Sequence, residues 1–168
     1  MVTCYDAATS KILNETSVDA LLVGDSCAMV VHGFDSTIHA TLEMMVAHTA
    51  ATRRGAPDKV IVADMPFLSF RGSVEAATQS VMQLMRAGAN GVKLERCKGN
   101  AELISRLVDA GIPVMGHLGL TPQSIHEFGG FKMQARNDLA AQTLQEEALE
   151  LEEAGCFSIV LECIPSHV

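Results

Sequence analysis

The chain has 168 residues, of which 48% are hydrophobic and 19% are charged, so an intrinsically disordered chain is excluded. Twelve Lys and Arg against 20 Asp and Glu give a net charge of −8, and this disfavours nucleic acid as a partner because phosphate binding needs a basic surface. The chain lacks an apolar run of about 18 residues and a secretory leader, so we expect no membrane contact and a cytoplasmic protein.

In the first half of the chain, short apolar runs alternate with helical patterns. Each run is four residues long and is followed by a capping residue or an amphipathic stripe. In chain order, the predicted strand–helix pairs are Val2–Tyr5 with a helix capped by Asp6, Ala20–Val23 with the helix Leu42–Gly55 capped by Thr41, and Val60–Ala63 with a helix capped by Ser73 and stopped by Gly88.

The second half continues the same alternation. In chain order, the predicted elements are the strand Gly91–Leu94, the helix Ala101–Ala110, the strand Pro113–Gly116, a helix from Asn137 to Gly155 and the strand Phe157–Leu161. Almost purely apolar strands that alternate with amphipathic helices indicate parallel βα units. Neither GxGxxG nor GxxxxGK[ST], which would favour an open sheet, follows the first strand. The placement of the polar residues favours a TIM-type (β/α) barrel, of which this chain supplies about six βα units.

Polar residues follow the predicted strands at the point where each strand ends. They are Asp25, Asp64, Glu95, His117 and Glu162. In a parallel barrel the C-terminal strand ends share one face, so we expect four carboxylates to converge there. Crowded carboxylates repel, so either some of them are protonated or a cation neutralises them, and a carboxylate set without a His–Cys ligand set favours a hard ion such as Mg²⁺.

Three further residues near these acids are candidates for substrate binding. Lys93 alternates with apolar residues two positions before Glu95, and it either binds the carboxylate of an anionic substrate or faces solvent. Ser26 follows Asp25 in a tight turn and could donate its hydroxyl or amide to a bound carboxylate. His117 either hydrogen-bonds a substrate or metal-bound oxygen, or is a structural imidazole.

Six segments together resemble one known family. They are LLVGDSCAMVVHGFDST, VIVADMPFLSF, AGANGVKLE, GIPVMGHLGLTPQS, HEFGGFKMQAR and LEEAGCFSIVLECIP. In order and spacing they are similar to the ketopantoate (3-methyl-2-oxobutanoate) hydroxymethyltransferases of pantothenate biosynthesis. The resemblance extends over residues 1–168.

The resemblance implies a (β/α)₈ barrel that binds Mg²⁺ and assembles as a homodecamer. It implies transfer of a hydroxymethyl group from 5,10-methylenetetrahydrofolate to 3-methyl-2-oxobutanoate, giving 2-dehydropantoate by metal-assisted enolate chemistry. By motif, it implies Asp25, Asp64 and Glu95 as metal ligands, and Asp25, Ser26, Asp64 and Lys93 as substrate-binding residues. It also implies Glu162 as the proton acceptor.

The chain departs from the family pattern in three ways. Residues 1–168 form one predicted domain without the two further strands with which the family barrel continues. Arg96-Cys97 stands where a Gly pair is common, and Ala135 stands where a Gly before the Arg is usual. Two alternatives therefore stay open: a Mg²⁺-dependent 2-oxo acid C–C lyase or mutase of the phosphoenolpyruvate-type barrels, and a truncated binding protein without turnover.

Overall fold

The computed structural model describes all 168 residues, and strands alternate with helices throughout. The strands are β1 Val2–Thr3, β2 Ala20–Val23, β3 Val60–Asp64, β4 Gly91–Glu95, β5 Val114–Gly119 and β6 Ser158–Glu162. The helices are α1 Ala7–Asn14, α2 Cys27–Val30, α3 Leu42–Gly55, α4 Val74–Arg86, α5 Ala101–Asp109, α6 Ile125–Phe128 and α7 Asp138–Glu153. Two single turns of 3₁₀ helix cover Thr37–His39 and Pro122–Ser124.

The chain divides into two compact units, Met1–Lys93 and Leu94–Val168. The division falls inside β4, and the single domain predicted over residues 1–168 stays a prediction. None of the helices is both long and apolar enough to span a bilayer.

In the first unit, β1, β2, β3 and the first part of β4 pair in parallel in that order. The registered pairs include Val23 with Ala63, and Asp64 with Lys93. The core residues Leu21, Val23 and Ile61 are fully buried. Parallel strands are covered on both faces, and this explains why the runs are apolar without alternation.

In the second unit, β5 and β6 pair in parallel from Met115 with Ser158 to Gly119 with Glu162. The amide of Arg96, which follows β4, donates to the carbonyl of His117. The second unit therefore continues the parallel pattern from the end of β4 into β5 and β6.

Four helices begin at the N-caps that the sequence predicts. The side chains of Asp6, Thr41, Ser73 and Asn137 each accept a hydrogen bond from the backbone N–H three residues later. Such caps satisfy backbone donors that have no partner inside the helix.

The predicted strand ends are early by one residue for Asp64, Glu95 and Glu162, which are the last residues of their strands. The predicted end of β5 was wrong by more: we expected β5 to end before His117, but it includes His117 and continues two residues beyond it, to Gly119. Only Asp25 lies beyond its strand. The reason is that polar side chains do not end a strand when they find buried partners, as they do here.

Candidate functional site

The first unit contains a buried cluster built on the ends of β2, β3 and β4. Asp25 and Asp64 are each 4% exposed and Lys93 is 5% exposed. Lys93 Nζ lies 3.0 Å from Asp64 Oδ1, and the Asp25 N–H donates to Asp64 Oδ2 at 3.1 Å. Asp64 therefore links a buried cation to the turn that follows β2, which excludes the solvent-facing alternative for Lys93.

The turn after β2 is tightly packed against these groups. A Cβ at Gly24 would lie 2.7 Å from Ser26 Oγ and 3.6 Å from Asp64 Oδ2. A Cβ would therefore make an ordinary contact with Asp64 but would require the Ser26 hydroxyl to move. The Ser26 hydroxyl lies 2.8 Å from the hydroxyl of Tyr5.

The second unit contains a second cluster, centred on His117. His117 Nδ1 lies 3.6 Å from Glu95 Oε1, and His117 Nε2 lies 3.1 Å from Glu162 Oε2. Glu95 and His117 are buried, whereas the Glu162 side chain is 43% exposed. One imidazole therefore lies between two carboxylates, of which one is partly open to solvent.

Backbone groups fix the carboxylate of Glu95 and the main chain of Glu162 in this second cluster. The Gln123 N–H donates to Glu95 Oε2 at 3.0 Å. Gly119 pairs with Glu162 in register at a φ of +82°, and a Cβ there would lie 2.3 Å from the Glu162 carbonyl oxygen. The position of Glu162 therefore depends on a residue without a side chain.

The seven sequence-predicted residues divide between the two units. The first unit contains Asp25, Ser26, Asp64 and Lys93, and the second contains Glu95, His117 and Glu162. The structure contains no group of three or more His, Cys, Asp or Glu side chains placed so that together they could hold a metal ion. The shared metal site of Asp25, Asp64 and Glu95 stays a prediction.

Two contributors to these clusters were missed from the sequence. The Tyr5 hydroxyl contacts Ser26 across 21 positions of sequence, and the Gln123 amide contacts Glu95 across 28. Tyr5 is the only tyrosine of the chain and directly precedes the cap Asp6, and this was the one available signal. A backbone amide such as that of Gln123 gives no signal in a sequence.

A family model described as ketopantoate hydroxymethyltransferase matches residues 1–168. The chain belongs to the ketopantoate hydroxymethyltransferase family. The 3-methyl-2-oxobutanoate hydroxymethyltransferase of Francisella tularensis subsp. tularensis (strain SCHU S4 / Schu 4) is 54% identical over 168 residues, and that of Bdellovibrio bacteriovorus is 50% identical. Both alignments cover 100% of this chain and 64% of the relative, so the chain spans about two-thirds of the length of these family members.

Solved structures of lower identity share the fold of this family member. A 2,3-dimethylmalate lyase of the PEP mutase/isocitrate lyase superfamily has a TM-score of 0.69 at 18% identity, covering 96% of this chain and 55% of the lyase. A phosphonopyruvate hydrolase in complex with oxalate and Mg²⁺ has a TM-score of 0.72 at 13% identity, covering 96% and 56%. At this identity the likeness shows the fold alone, and it confirms the predicted TIM-type (β/α) barrel class.

Proposed function

We propose that this chain functions in a hydroxymethyltransferase and supplies its site residues from the C-terminal ends of the strands. The reaction transfers a one-carbon unit from 5,10-methylenetetrahydrofolate to 3-methyl-2-oxobutanoate and gives 2-dehydropantoate. The observation that carries the proposal is the buried cluster of Asp25, Asp64 and Lys93. A buried lysine between acid-bearing strand ends is costly for folding. Because the chain matches an enzyme family over all 168 residues, we infer that these buried residues are kept for function rather than for stability.

The donor set of the first cluster fits a magnesium ion. Asp25 and Asp64 supply hard carboxylate oxygens, and Mg²⁺ is usually bound by one or two carboxylates, with water or substrate oxygens completing its coordination. We propose Glu95 as a third ligand, because residues two apart on a strand face the same way and Lys93 already faces Asp64. When bound, Mg²⁺ supplies Lewis-acid stabilisation of negative charge that develops on substrate oxygen.

Lys93 and Ser26 are proposed to hold the carboxylate of the 2-oxo acid. The Lys93 ammonium has three donors, so it can donate to a substrate carboxylate while it stays near Asp64. Ser26 offers a hydroxyl proton and a backbone N–H at the start of the turn after β2. Together these donors would fix the anionic end of the substrate and leave its C3 free to react.

Glu162 is proposed to accept the C3 proton. Its side chain is partly exposed and therefore reachable by substrate, and His117 holds one of its oxygens. The C3–H bond breaks as the proton passes to the Glu162 carboxylate, and its electron pair forms the new C–C bond to the methylene carbon. The two C–N bonds that hold this carbon to the folate break with their electron pairs returning to nitrogen, and a water molecule supplies the hydroxyl group. The two folate nitrogens take up the proton returned by Glu162 and the remaining proton of that water. His117, anchored by Glu95 on its other nitrogen, would keep that carboxylate oriented.

The folate co-substrate, a homo-oligomeric assembly and a cytoplasmic location are also proposed, and family membership supports all three. Light scattering coupled to size exclusion would measure the assembly directly. A single-chain mass at micromolar concentration would contradict a homo-oligomer.

The test of the chemistry is exchange of the C3 proton of 3-methyl-2-oxobutanoate in deuterated water with Mg²⁺ present. Loss of a general base typically costs about 10²–10⁴-fold, so we expect Glu162→Gln to slow exchange by at least about 100-fold while the 2-oxo acid still binds. Glu153→Gln, at the exposed end of α7, is the matched control and should exchange at the wild-type rate. Undiminished exchange in Glu162→Gln would exclude Glu162 as the base.

A further inference from the structure

The Tyr5 hydroxyl contacts a side chain that the proposed function places on the substrate. Tyr5 OH lies 2.8 Å from Ser26 Oγ. Ser26 precedes α2 in the N-cap position, yet its side chain makes no capping hydrogen bond. The Ser26 hydroxyl is therefore not committed to the helix.

Tyr5 itself is held in place by His48 of α3. His48 Nδ1 lies 2.7 Å from the Tyr5 carbonyl oxygen and must carry the proton, because a carbonyl only accepts. The two rings also meet edge to face, with centroids 6.3 Å apart. His32 Nε2 lies 2.9 Å from His48 Nε2 and completes a polar chain that leads from an exposed histidine to Tyr5.

We propose that Tyr5 is a positioning residue for substrate binding: its hydroxyl donates to Ser26 Oγ, so that the Ser26 hydroxyl proton is directed to the carboxylate of the 2-oxo acid. A serine hydroxyl has one proton to give and lone pairs to accept with. If Tyr5 supplies the proton of the Tyr5–Ser26 hydrogen bond, Ser26 keeps its own proton for the substrate. This inference rests on the proposed function, because it requires an anionic substrate at Ser26.

Cooperativity favours this direction of donation once a substrate anion is bound. A hydrogen bond received by Ser26 Oγ polarises its O–H, which makes it a better donor to an anion. The Tyr5 phenol has the proton that this bond requires, because its ordinary pKa of about 10 lies above neutral pH and burial raises it further.

The kinetic test uses Tyr5→Phe, which keeps the ring and its contact with His48 but removes the hydroxyl. We expect KM for 3-methyl-2-oxobutanoate to rise about tenfold with kcat changed less than about threefold, the scale of one hydrogen bond to a charged group. Ser26→Ala should raise KM at least as much, and Tyr5→Phe added to Ser26→Ala should raise it no further. A residue with only a structural role would lower the melting temperature and leave KM unchanged, which would contradict the proposal.

A binding test is independent of turnover. Calorimetric titration with Mg²⁺ and 3-methyl-2-oxobutanoate should show about tenfold weaker binding to Tyr5→Phe than to the wild-type chain. If the wild-type chain binds and Tyr5→Phe binds equally well, this inference is wrong and the proposed function stands. If the wild-type chain itself shows no Mg²⁺-dependent binding, both fail.

A spectroscopic test can be read first in the wild-type chain, with Ser26→Ala as the comparison. The chain has one tyrosine and no tryptophan, so its intrinsic fluorescence comes from Tyr5 alone. Saturable binding of the 2-oxo acid should change this emission in the wild-type chain, and the change should be much smaller in Ser26→Ala. Emission that stays constant at ligand concentrations shown by calorimetry to saturate the wild-type chain would overturn the inference.

Discussion

Lys93 Nζ lies 3.0 Å from Asp64 Oδ1, and the two residues are also register partners across β3 and β4. The pair is therefore fixed by the sheet itself rather than by flexible loops. Both side chains are about 6% exposed, so each charge depends on the other for compensation.

Removing one charge of this pair should be more harmful to folding than removing both. We expect Lys93→Met to lower the free energy of unfolding by about 3–5 kcal/mol, because it leaves the buried Asp64 carboxylate without its cation. Adding Asp64→Leu to Lys93→Met should restore much of that loss while substrate binding stays absent. Urea unfolding and calorimetry measure the two effects separately; a double variant no more stable than Lys93→Met would contradict this account.

Arg53 should be a strong determinant of stability for the first unit. Its guanidinium donates to five oxygens near the ends of α3 and α4, belonging to Ala56, Pro57, Lys59, Gly88 and Asn90. An ammonium cannot reproduce this fork of donors, so we expect Arg53→Lys to lower the free energy of unfolding by about 2–4 kcal/mol. The exposed neighbour Arg54 is the control, and Arg54→Lys should change stability by less than about 0.5 kcal/mol.

The left-handed backbone of Ala135 has a measurable cost. Ala135 has a φ of +52°, in the left-handed region that costs a residue with a Cβ about 1–2 kcal/mol. We expect Ala135→Gly to raise the free energy of unfolding by about 0.5–1 kcal/mol, since the entropy cost of glycine offsets part of the gain. In α7, Ala148→Gly should lower it by about 1 kcal/mol. Urea unfolding midpoints measure both changes. Stability changes of opposite sign in the two variants would support the explanation from the left-handed φ of Ala135.

The cysteines should differ sharply in reactivity. Burial raises the pKa of the Cys27 thiol to about 11 and that of Cys97 to about 12, whereas Cys163 is exposed. The thiolate is the reactive form, so iodoacetamide at pH 8 should label Cys163 first and leave Cys27 and Cys97 unmodified in the folded chain. Peptide mass spectrometry measures the order, and early labelling of Cys27 would contradict it.

The same raised pKa predicts a loss of stability in alkali. Folding favours the protonated Cys27 thiol, so its contribution is complete below the unfolded-state pKa of about 9 and is lost as the pH rises through about 11. The free energy of unfolding should therefore fall between pH 9 and pH 11 less steeply in Cys27→Ala than in the wild-type chain. Equal slopes would show that Cys27 ionisation is not linked to folding.

Sequence reasoning succeeded where the signal is local. The caps at Asp6, Thr41 and Ser73 were predicted because a short polar side chain before an amphipathic stripe acts within three residues. The short helix α2 and the single turn Ile125–Phe128 (α6) were missed, because one helical turn is too short to show a periodic pattern.

Contacts between distant residues could be predicted only in part. The burial of Lys93 could be suspected from its apolar neighbours, but its partner Asp64 lies on another strand. Likewise, nothing local to Tyr5 indicates Ser26. The acids of the candidate site were found because parallel strands place their C-terminal ends on one side. The groups that contact these site residues, such as the Tyr5 hydroxyl and the Gln123 amide, depend on tertiary packing that no short sequence pattern indicates.

Gly119 gives the second unit an unusual mutational constraint. Any other amino acid at this position would strain a backbone with a φ of +82° and would place its Cβ 2.3 Å from the carbonyl oxygen of Glu162, so a replacement of Gly119 is expected to displace the main chain of the proposed base. If codon 119 is randomised and the variants are screened for deuterium uptake by the 2-oxo acid, the active variants should contain glycine, even though residue 119 has no side chain that could take part in proton transfer.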